Sequence, residues 1–122
     1  MYQIIVERDF DAAHCLRNYG GKCEALHGHR FVVRATVKAT ELNNIGLAYD
    51  FTVLKQYLSD ILVRFDHTNL NEIQPFTTIN PSSENIAMIV FDEMKNMLTK
   101  APVTLDNIEV WESPTSHVTY SP

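Results

Sequence analysis

The segment Cys23-Glu24-Ala25-Leu26-His27-Gly28-His29 leads into a long run of alternating residues. From His27 to Ala39 the odd positions are histidine or apolar, whereas the even positions include two arginines, a threonine and a lysine. A period of two sustained over this length predicts a half-buried antiparallel strand. Because side chains at i and i+2 of a strand project from the same face, His27 and His29 form a pair that can chelate one metal ion.

A third histidine, His14, follows the apolar segment that runs from Tyr2 to Phe10. His14 would lie beside His27 and His29 if the two segments form an antiparallel hairpin. Three neutral imidazoles suit zinc and leave one coordination position open for a substrate oxygen. The sequence therefore predicts a zinc site with the layout of a catalytic centre.

Cys23 provides an alternative to this open site. One thiolate and three imidazoles would form a closed structural zinc site, and ligand chemistry alone permits both arrangements. A chain of 122 residues with 45% hydrophobic content can bury a core of its own and does not need a metal to hold it together. That argument favours the open site.

The composition is that of an ordinary folded protein and predicts a single domain over residues 1–122. A formal net charge of -5 argues against a nucleic-acid-binding surface. An anionic substrate would then be met by local positive charge, for which Arg17, Lys22 and Arg30 are the candidates near the histidines. No signal peptide, lipidation motif or membrane-length apolar run is present, so a cytoplasmic enzyme is expected.

Two amphipathic helices separate the predicted first pair of strands from a second pair. Apolar residues recur at helical spacing between Thr52 and Phe65, with Asp50 or Thr52 as the N-cap. A second helix opens near Ser82 and runs to about Lys100. Two terminal strands follow, so the sequence predicts an α+β fold.

Two further groups of polar residues have both a structural and a functional interpretation. Glu112 shares a predicted strand face with Ile108 and Val110, where a carboxylate either lies in water or is paired with a donor. A ligand with two adjacent N–H donors would satisfy both of its oxygens. The adjacent residues Asp66 and His67 are either a polar pair at a helix end or a histidine oriented by a carboxylate for proton transfer.

Six short motifs follow one another in a recognisable order along the chain. They are Phe10-Asp11-Ala12-Ala13-His14, Cys23 with His27-Gly28-His29, Asp50-Phe51, Asp66-His67 with Leu70-Asn71, Asn80-Pro81-Ser82-Ser83-Glu84, and Val110-Trp111-Glu112. In order and spacing they resemble the 6-pyruvoyltetrahydropterin synthase superfamily. Within it, the three-residue gap between Cys23 and His27 is similar to the bacterial 6-carboxytetrahydropterin synthases of the queuosine pathway. The animal 6-pyruvoyl enzymes typically have a longer gap.

The resemblance implies a tunnelling fold, in which a four-stranded antiparallel sheet carries two helices on one face. Such chains assemble into trimers whose sheets close a β-barrel, and the trimers often stack in pairs as hexamers. Closing the barrel removes the exposed edges that a lone sheet would present. Active sites in this superfamily lie between subunits, so a homo-oligomer is expected.

The resemblance also implies a substrate, 7,8-dihydroneopterin triphosphate, which would lose triphosphate and, in the queuosine branch, acetaldehyde. Zinc would bind the side-chain hydroxyls of the substrate as a Lewis acid. Another activity of the superfamily stays open, either 6-pyruvoyltetrahydropterin formation or an aldolase-like cleavage of the pterin side chain. A non-catalytic zinc-binding oligomer, closed by Cys23, is the alternative from another class.

Residue roles can be assigned from the same resemblance. The implied metal ligands are His14, His27 and His29. Cys23 would be the thiolate base that removes a proton from the substrate. His67, oriented by Asp66, would exchange protons on the opposite side, commonly from a neighbouring subunit. Glu112 would bind the aminopyrimidinone edge of the pterin.

Overall fold

The chain folds into two layers, a β-sheet with both helices packed on one of its faces. A computed structural model describes residues 1–122. The elements are β1 (Tyr2–His14), β2 (His27–Ala39), α1 (Phe51–Leu62), β3 (Thr68–Asn69), α2 (Ser83–Met97), β4 (Thr104–Ser113) and β5 (Ser116–Tyr120). Short 3-10 turns at Lys22–Glu24 and Leu70–Glu72 lie in the connections. The predicted α+β class with two helices is confirmed.

The sheet has five strands in the order β3-β1-β2-β4-β5, one more than the sequence predicts. The four longer strands are antiparallel neighbours, whereas β3 pairs in parallel with the end of β1, with Thr68 opposite Ala12 and Asn69 opposite Ala13. A strand of two polar residues is too short to show an alternating pattern. The prediction of a four-stranded, purely antiparallel sheet is therefore wrong at this edge.

β2 has the predicted bounds and the predicted alternation. Its odd-numbered residues from Phe31 to Ala39 are buried, with β1 on one side and β4 on the other. β1 and β2 pair over their whole lengths, from Tyr2 opposite Ala39 to His14 opposite His27. The predicted antiparallel pair is therefore present, and it places the histidines at one end of the sheet.

Both helices begin at side chains that cap them. The Asp50 carboxylate accepts from the Thr52 N–H at 2.8 Å, and the Ser82 hydroxyl accepts from the Asn85 N–H at 3.1 Å. Each bond satisfies a backbone donor that has no partner within the helix, which stabilises the first turn. No helix is long and apolar enough to cross a membrane.

Both helices end earlier than predicted, α1 at Leu62 instead of Phe65 and α2 at Met97 instead of about Lys100. Apolar residues just beyond the two ends, Phe65 and Leu98, are still buried, but turns carry them instead of helix. Apolar periodicity reports burial, so it does not mark the residue at which helical hydrogen bonding stops.

Aromatic rings fill the end of the core that adjoins the histidines. Phe31 stacks on Phe10 with ring centroids 4.9 Å apart, and Phe10 lies 5.8 Å from Phe65. The Phe31 ring also meets the His14 imidazole at 5.3 Å, nearly at a right angle. Close packing restricts side-chain movement, so His14 rests on a rigid support.

The opposite face of the sheet is polar. Arg30 pairs with Asp9, and Arg34 pairs with Glu7 at 2.9 Å. The Arg34 guanidinium lies 4.9 Å from the centre of the Trp111 ring, a cation–π contact. Positive and negative side chains are thus matched on this face. Its closure into a barrel with further copies of the chain stays a prediction.

Candidate active site

Strand pairing places the three predicted histidines on one face at the end of the sheet. His14 is directly opposite His27, and His29 is opposite Ala12 one step further along β2. The ring centroids are 4.6 Å apart for His14 and His27 and 4.8 Å apart for His27 and His29. At this spacing three imidazoles can bind a single ion.

Backbone carbonyl groups orient two of these imidazoles. His14 Nδ1 donates to the carbonyl oxygen of Pro81 at 2.7 Å, and His27 Nδ1 donates to that of Ala25 at 2.7 Å. A carbonyl oxygen can only accept, so the proton of each neutral ring is on Nδ1. Each Nε2 therefore keeps a free lone pair, as a metal ligand requires.

Glu112 lies beside the histidines, in a position that the sequence analysis does not predict. On β4, Val110 is opposite Val33 of β2, and Glu112 follows two residues later on the same face. Its Oε1 atom is 3.1 Å from His29 Nε2 and 3.3 Å from His14 Nε2. The potential ligand atoms of the three histidines and Glu112 all lie within 4.8 Å of one another.

The electrostatics of this cluster favour a cation. His14 is 1% exposed, and its Nε2 atom has no hydrogen-bond partner. Burial lowers the pKa of the His14 imidazole below its usual value, so the ring stays neutral and supplies no proton between Nε2 and Glu112. A buried lone pair that faces a carboxylate oxygen is unfavourable unless positive charge lies between them. Three imidazoles and an adjacent carboxylate fit a zinc ion.

Cys23 lies outside this cluster. Its backbone carbonyl accepts from the Leu16 N–H at 2.7 Å, which holds the 3-10 turn Lys22–Glu24 against the residues that follow β1. Its thiol is half-buried, forms no disulfide and is not among the converging ligand groups. The geometry therefore favours the open metal site over the site closed by Cys23. The turn leads directly into the strand that carries His27, so Cys23 remains close to the histidines in sequence.

Asp66 and His67 form a second polar cluster with Asp11, at the β3 edge of the sheet. Asp66 Oδ1 accepts from the Asp11 N–H at 2.9 Å, and the His67 N–H donates to the Asp11 carbonyl oxygen at 2.6 Å. The second carboxylate oxygen, Oδ2, is 3.0 Å from His67 Nδ1. The Asp11 amide, and then His67, hold the pKa of Asp66 below its usual value. The predicted pair is present, and the His67 side chain is 79% exposed.

The three basic residues near the histidines differ in their surroundings. Arg17 donates to the carbonyl oxygens of Phe76 at 2.6 Å and Ile79 at 2.7 Å. Arg30 has its aspartate partner on the polar face of the sheet, and Lys22 is exposed on its turn. Arg17 therefore stabilises the fold through two bonds, which leaves Lys22 and Arg30 as the more accessible cations.

Two asparagines to which the sequence analysis assigns no role hold the chain just beyond β1. Asn71 accepts from the Cys15 N–H at 2.9 Å and donates to the Cys15 carbonyl oxygen at 3.0 Å. Asn80 makes the same pair of bonds with Arg17, also at 2.9 and 3.0 Å. Each side-chain amide thus bonds to both backbone groups of one residue, as a residue of a neighbouring strand would. Both lie within the motifs Leu70-Asn71 and Asn80-Pro81, which is the signal that could have identified them.

Comparisons with known proteins show similarity over nearly the whole chain. The sequence profile of the family described as 6-pyruvoyl tetrahydropterin synthase matches residues 3–122. A 6-carboxy-5,6,7,8-tetrahydropterin synthase of Synechocystis sp. is 34% identical over 98% of this chain and 93% of its own length. The enzyme of that name from Bacillus subtilis is 30% identical over 99% of this chain and 86% of its own length.

The fold is similar to that of solved structures with related names. The structure of 6-pyruvoyl tetrahydropterin synthase from Caenorhabditis elegans superimposes with a TM-score of 0.85 and 28% identity. The match covers 100% of this chain and 97% of the worm chain. The sequence relatives and this structural neighbour therefore carry two different product names.

We expect the protein to bind about one zinc ion per chain, because three imidazoles converge and two of them, His14 and His27, have a free Nε2 lone pair. His27→Ala should lose the metal, whereas Cys23→Ala should retain it. Metal analysis after dialysis measures both, with His117→Ala as the matched control because His117 lies on β5, outside the cluster. Zinc loss from the Cys23→Ala protein would instead support the closed structural site.

Proposed function

Because the chain belongs to the 6-pyruvoyl tetrahydropterin synthase family, we propose that it is a zinc-dependent 6-carboxy-5,6,7,8-tetrahydropterin synthase. It would convert 7,8-dihydroneopterin triphosphate and water to 6-carboxytetrahydropterin, acetaldehyde and triphosphate, a step of queuosine biosynthesis. The observation that carries the proposal is the convergence of three histidines and Glu112, whose potential ligand atoms all lie within 4.8 Å of one another.

Glu112 is the residue that recognises the pterin. An ionised carboxylate offers two acceptor oxygens, and the aminopyrimidinone edge of a pterin offers a ring N–H and an amino group in matching geometry. The Glu112 side chain is 35% exposed, so a ligand can reach it. Because Oε1 is within 3.3 Å of two histidine Nε2 atoms, a pterin bound by Glu112 lies beside the metal ligands.

Two groups move protons on the substrate side chain. The three histidines would hold a zinc ion, which would supply Lewis acidity toward the side-chain hydroxyls. Cys23, as a thiolate, removes a proton on one side of the substrate. His67 exchanges protons on the other side, and the ionised Asp66 accepts the Nδ1–H of its ring, which leaves Nε2 for the substrate.

The proposal includes a homo-oligomer. The His67 side chain is 79% exposed and belongs to a different cluster from the metal histidines of its own chain. A neighbouring copy would bring its Asp66 and His67 to the substrate from the side opposite Cys23. We accordingly place the active site between subunits of a trimer, or of a hexamer built from two trimers, in the cytoplasm.

A second activity is favoured by one observation, the similarity in fold to the worm 6-pyruvoyl tetrahydropterin synthase. That enzyme's name indicates a product in which the side chain keeps its carbon atoms, so no acetaldehyde is released. An aldolase-like cleavage would leave a hydroxymethyl pterin. A non-catalytic zinc protein is disfavoured, because Cys23 is not a member of the converging ligand cluster.

Incubation of the zinc-loaded protein with 7,8-dihydroneopterin triphosphate should yield 6-carboxytetrahydropterin and one equivalent of acetaldehyde. Mass spectrometry identifies the pterin, and an alcohol dehydrogenase assay measures the aldehyde. The His27→Ala protein is the control for metal-independent breakdown of the substrate. A pyruvoyl or hydroxymethyl pterin as the product would replace the proposed activity with one of the two alternatives.

Cys23→Ala and His67→Ala should each lower turnover by about 100-fold or more, since each removes a proton-transfer group, while zinc content stays near that of the parent protein. The matched controls are Cys15→Ala and His117→Ala, because neither residue belongs to the two clusters. Steady-state rates at saturating substrate measure the turnover of each variant and control. Near-parental turnover in either test variant would remove that residue from the mechanism.

Glu112→Gln should weaken pterin binding by about 2 to 4 kcal/mol, because an amide donor replaces an acceptor oxygen and faces the ligand's own N–H. Zinc should still bind, because the three histidines assigned as its ligands are unchanged. Calorimetry with dihydroneopterin measures the affinity, and Glu109→Gln on the outer face of the same strand is the matched control. Zinc loss with unchanged pterin affinity would make Glu112 a metal ligand and not the pterin-binding group.

A further inference from the structure

The segment 76–81, which precedes α2, is bonded to the residues that follow β1. The Arg17 guanidinium donates to two of its carbonyl oxygens, at 2.6 and 2.7 Å. The Asn80 side chain accepts from the Arg17 N–H at 2.9 Å and donates to the Arg17 carbonyl oxygen at 3.0 Å. Four hydrogen bonds thus join a single residue, Arg17, to this segment.

Asn80 is also held from the side of α2. Its backbone carbonyl oxygen accepts from Asn85 Nδ2 at 2.8 Å, and the Asn85 N–H donates to the Ser82 hydroxyl at 3.1 Å. Pro81 is buried and lies between Asn80 and Ser82, so its peptide groups are restrained on both sides. Its carbonyl oxygen is the atom that accepts from His14 Nδ1 at 2.7 Å.

We propose that Asn80 is a positioning residue for the metal site, because it aims the Pro81 carbonyl oxygen at His14 Nδ1. That bond fixes the ring proton on Nδ1 and turns the unpaired Nε2 atom toward the other histidines and Glu112. The Asn80 side chain bonds to Arg17 and is not a member of the metal cluster, so it acts through His14. The inference rests on the metal part of the proposed function and is independent of which pterin is formed.

Asn71 provides a matched comparison within the same chain. It makes the same pair of amide bonds, at 2.9 and 3.0 Å, with Cys15, two residues before Arg17. It is likewise half-buried, yet none of its bonds leads to Pro81. Asn71→Ala and Asn80→Ala therefore remove equal numbers of similar bonds from neighbouring sites, and only Asn80→Ala releases the carbonyl group that orients His14.

The test compares these two variants with the parent protein by two measurements. In the metal-free protein, nitrogen-15 NMR of the imidazoles reports the tautomer of His14. The ring proton should be on Nδ1 in the parent and in Asn71→Ala. In Asn80→Ala the ring should be a mixture of the Nδ1–H and Nε2–H tautomers. Competition with a chelator reports zinc affinity. We expect it to fall about 10- to 100-fold in Asn80→Ala, the range typical for groups that orient a metal-bound histidine, and to stay near the parental value in Asn71→Ala.

Equal losses of zinc affinity in the two variants, or an unchanged His14 tautomer in Asn80→Ala, would overturn the inference. If Asn80→Ala does not fold, Asn85→Ala is the second variant, because it releases the Asn80 carbonyl from α2. It should shift the His14 tautomer and the zinc affinity in the same direction. No shift in a folded Asn85→Ala protein would also overturn the inference. A parent protein that binds no zinc would contradict the proposed function, whereas the NMR comparison would still test the role of Asn80.

Discussion

The arrangement of this protein depends on one electrostatic constraint, the meeting of two unprotonated histidine Nε2 atoms with a carboxylate. Carbonyl oxygens of Pro81 and Ala25 hold the ring protons of His14 and His27 on Nδ1, which leaves both Nε2 atoms bare. Glu112 adds a carboxylate oxygen 3.3 Å from the buried His14 Nε2. Such a cluster is unfavourable by itself and would become favourable around a cation, so a bound metal ion would stabilise the folded chain.

Several parts of this arrangement can be predicted from the sequence because they depend on neighbouring residues. Alternation predicts β2, and the spacing of two residues puts His27 and His29 on one face. The antiparallel pairing that puts His14 opposite His27 also follows, since the two segments are consecutive in the chain. The six motifs then identify the family, which the match over residues 3–122 bears out.

Other parts depend on contacts between distant segments, which no local pattern reports. Glu112 reaches the histidines only because of the register between β2 and β4, which are separated by both helices. β3 exists because Asp66 and His67 bond to both backbone groups of Asp11, and its two polar residues carry no strand signal. The roles of Asn71 and Asn80 likewise appear only in the folded chain, because each bonds to a residue 56 or 63 positions away.

The coordination shell of zinc in the substrate-free protein tests the central claim most directly. X-ray absorption at the zinc edge of the loaded protein should fit three imidazole nitrogens at about 2.0 to 2.1 Å, completed by oxygen, with no sulfur. The same shell should persist in the Cys23→Ala protein. A sulfur scatterer at about 2.3 Å would contradict the account, because it would place Cys23 on the metal and close the site to substrate.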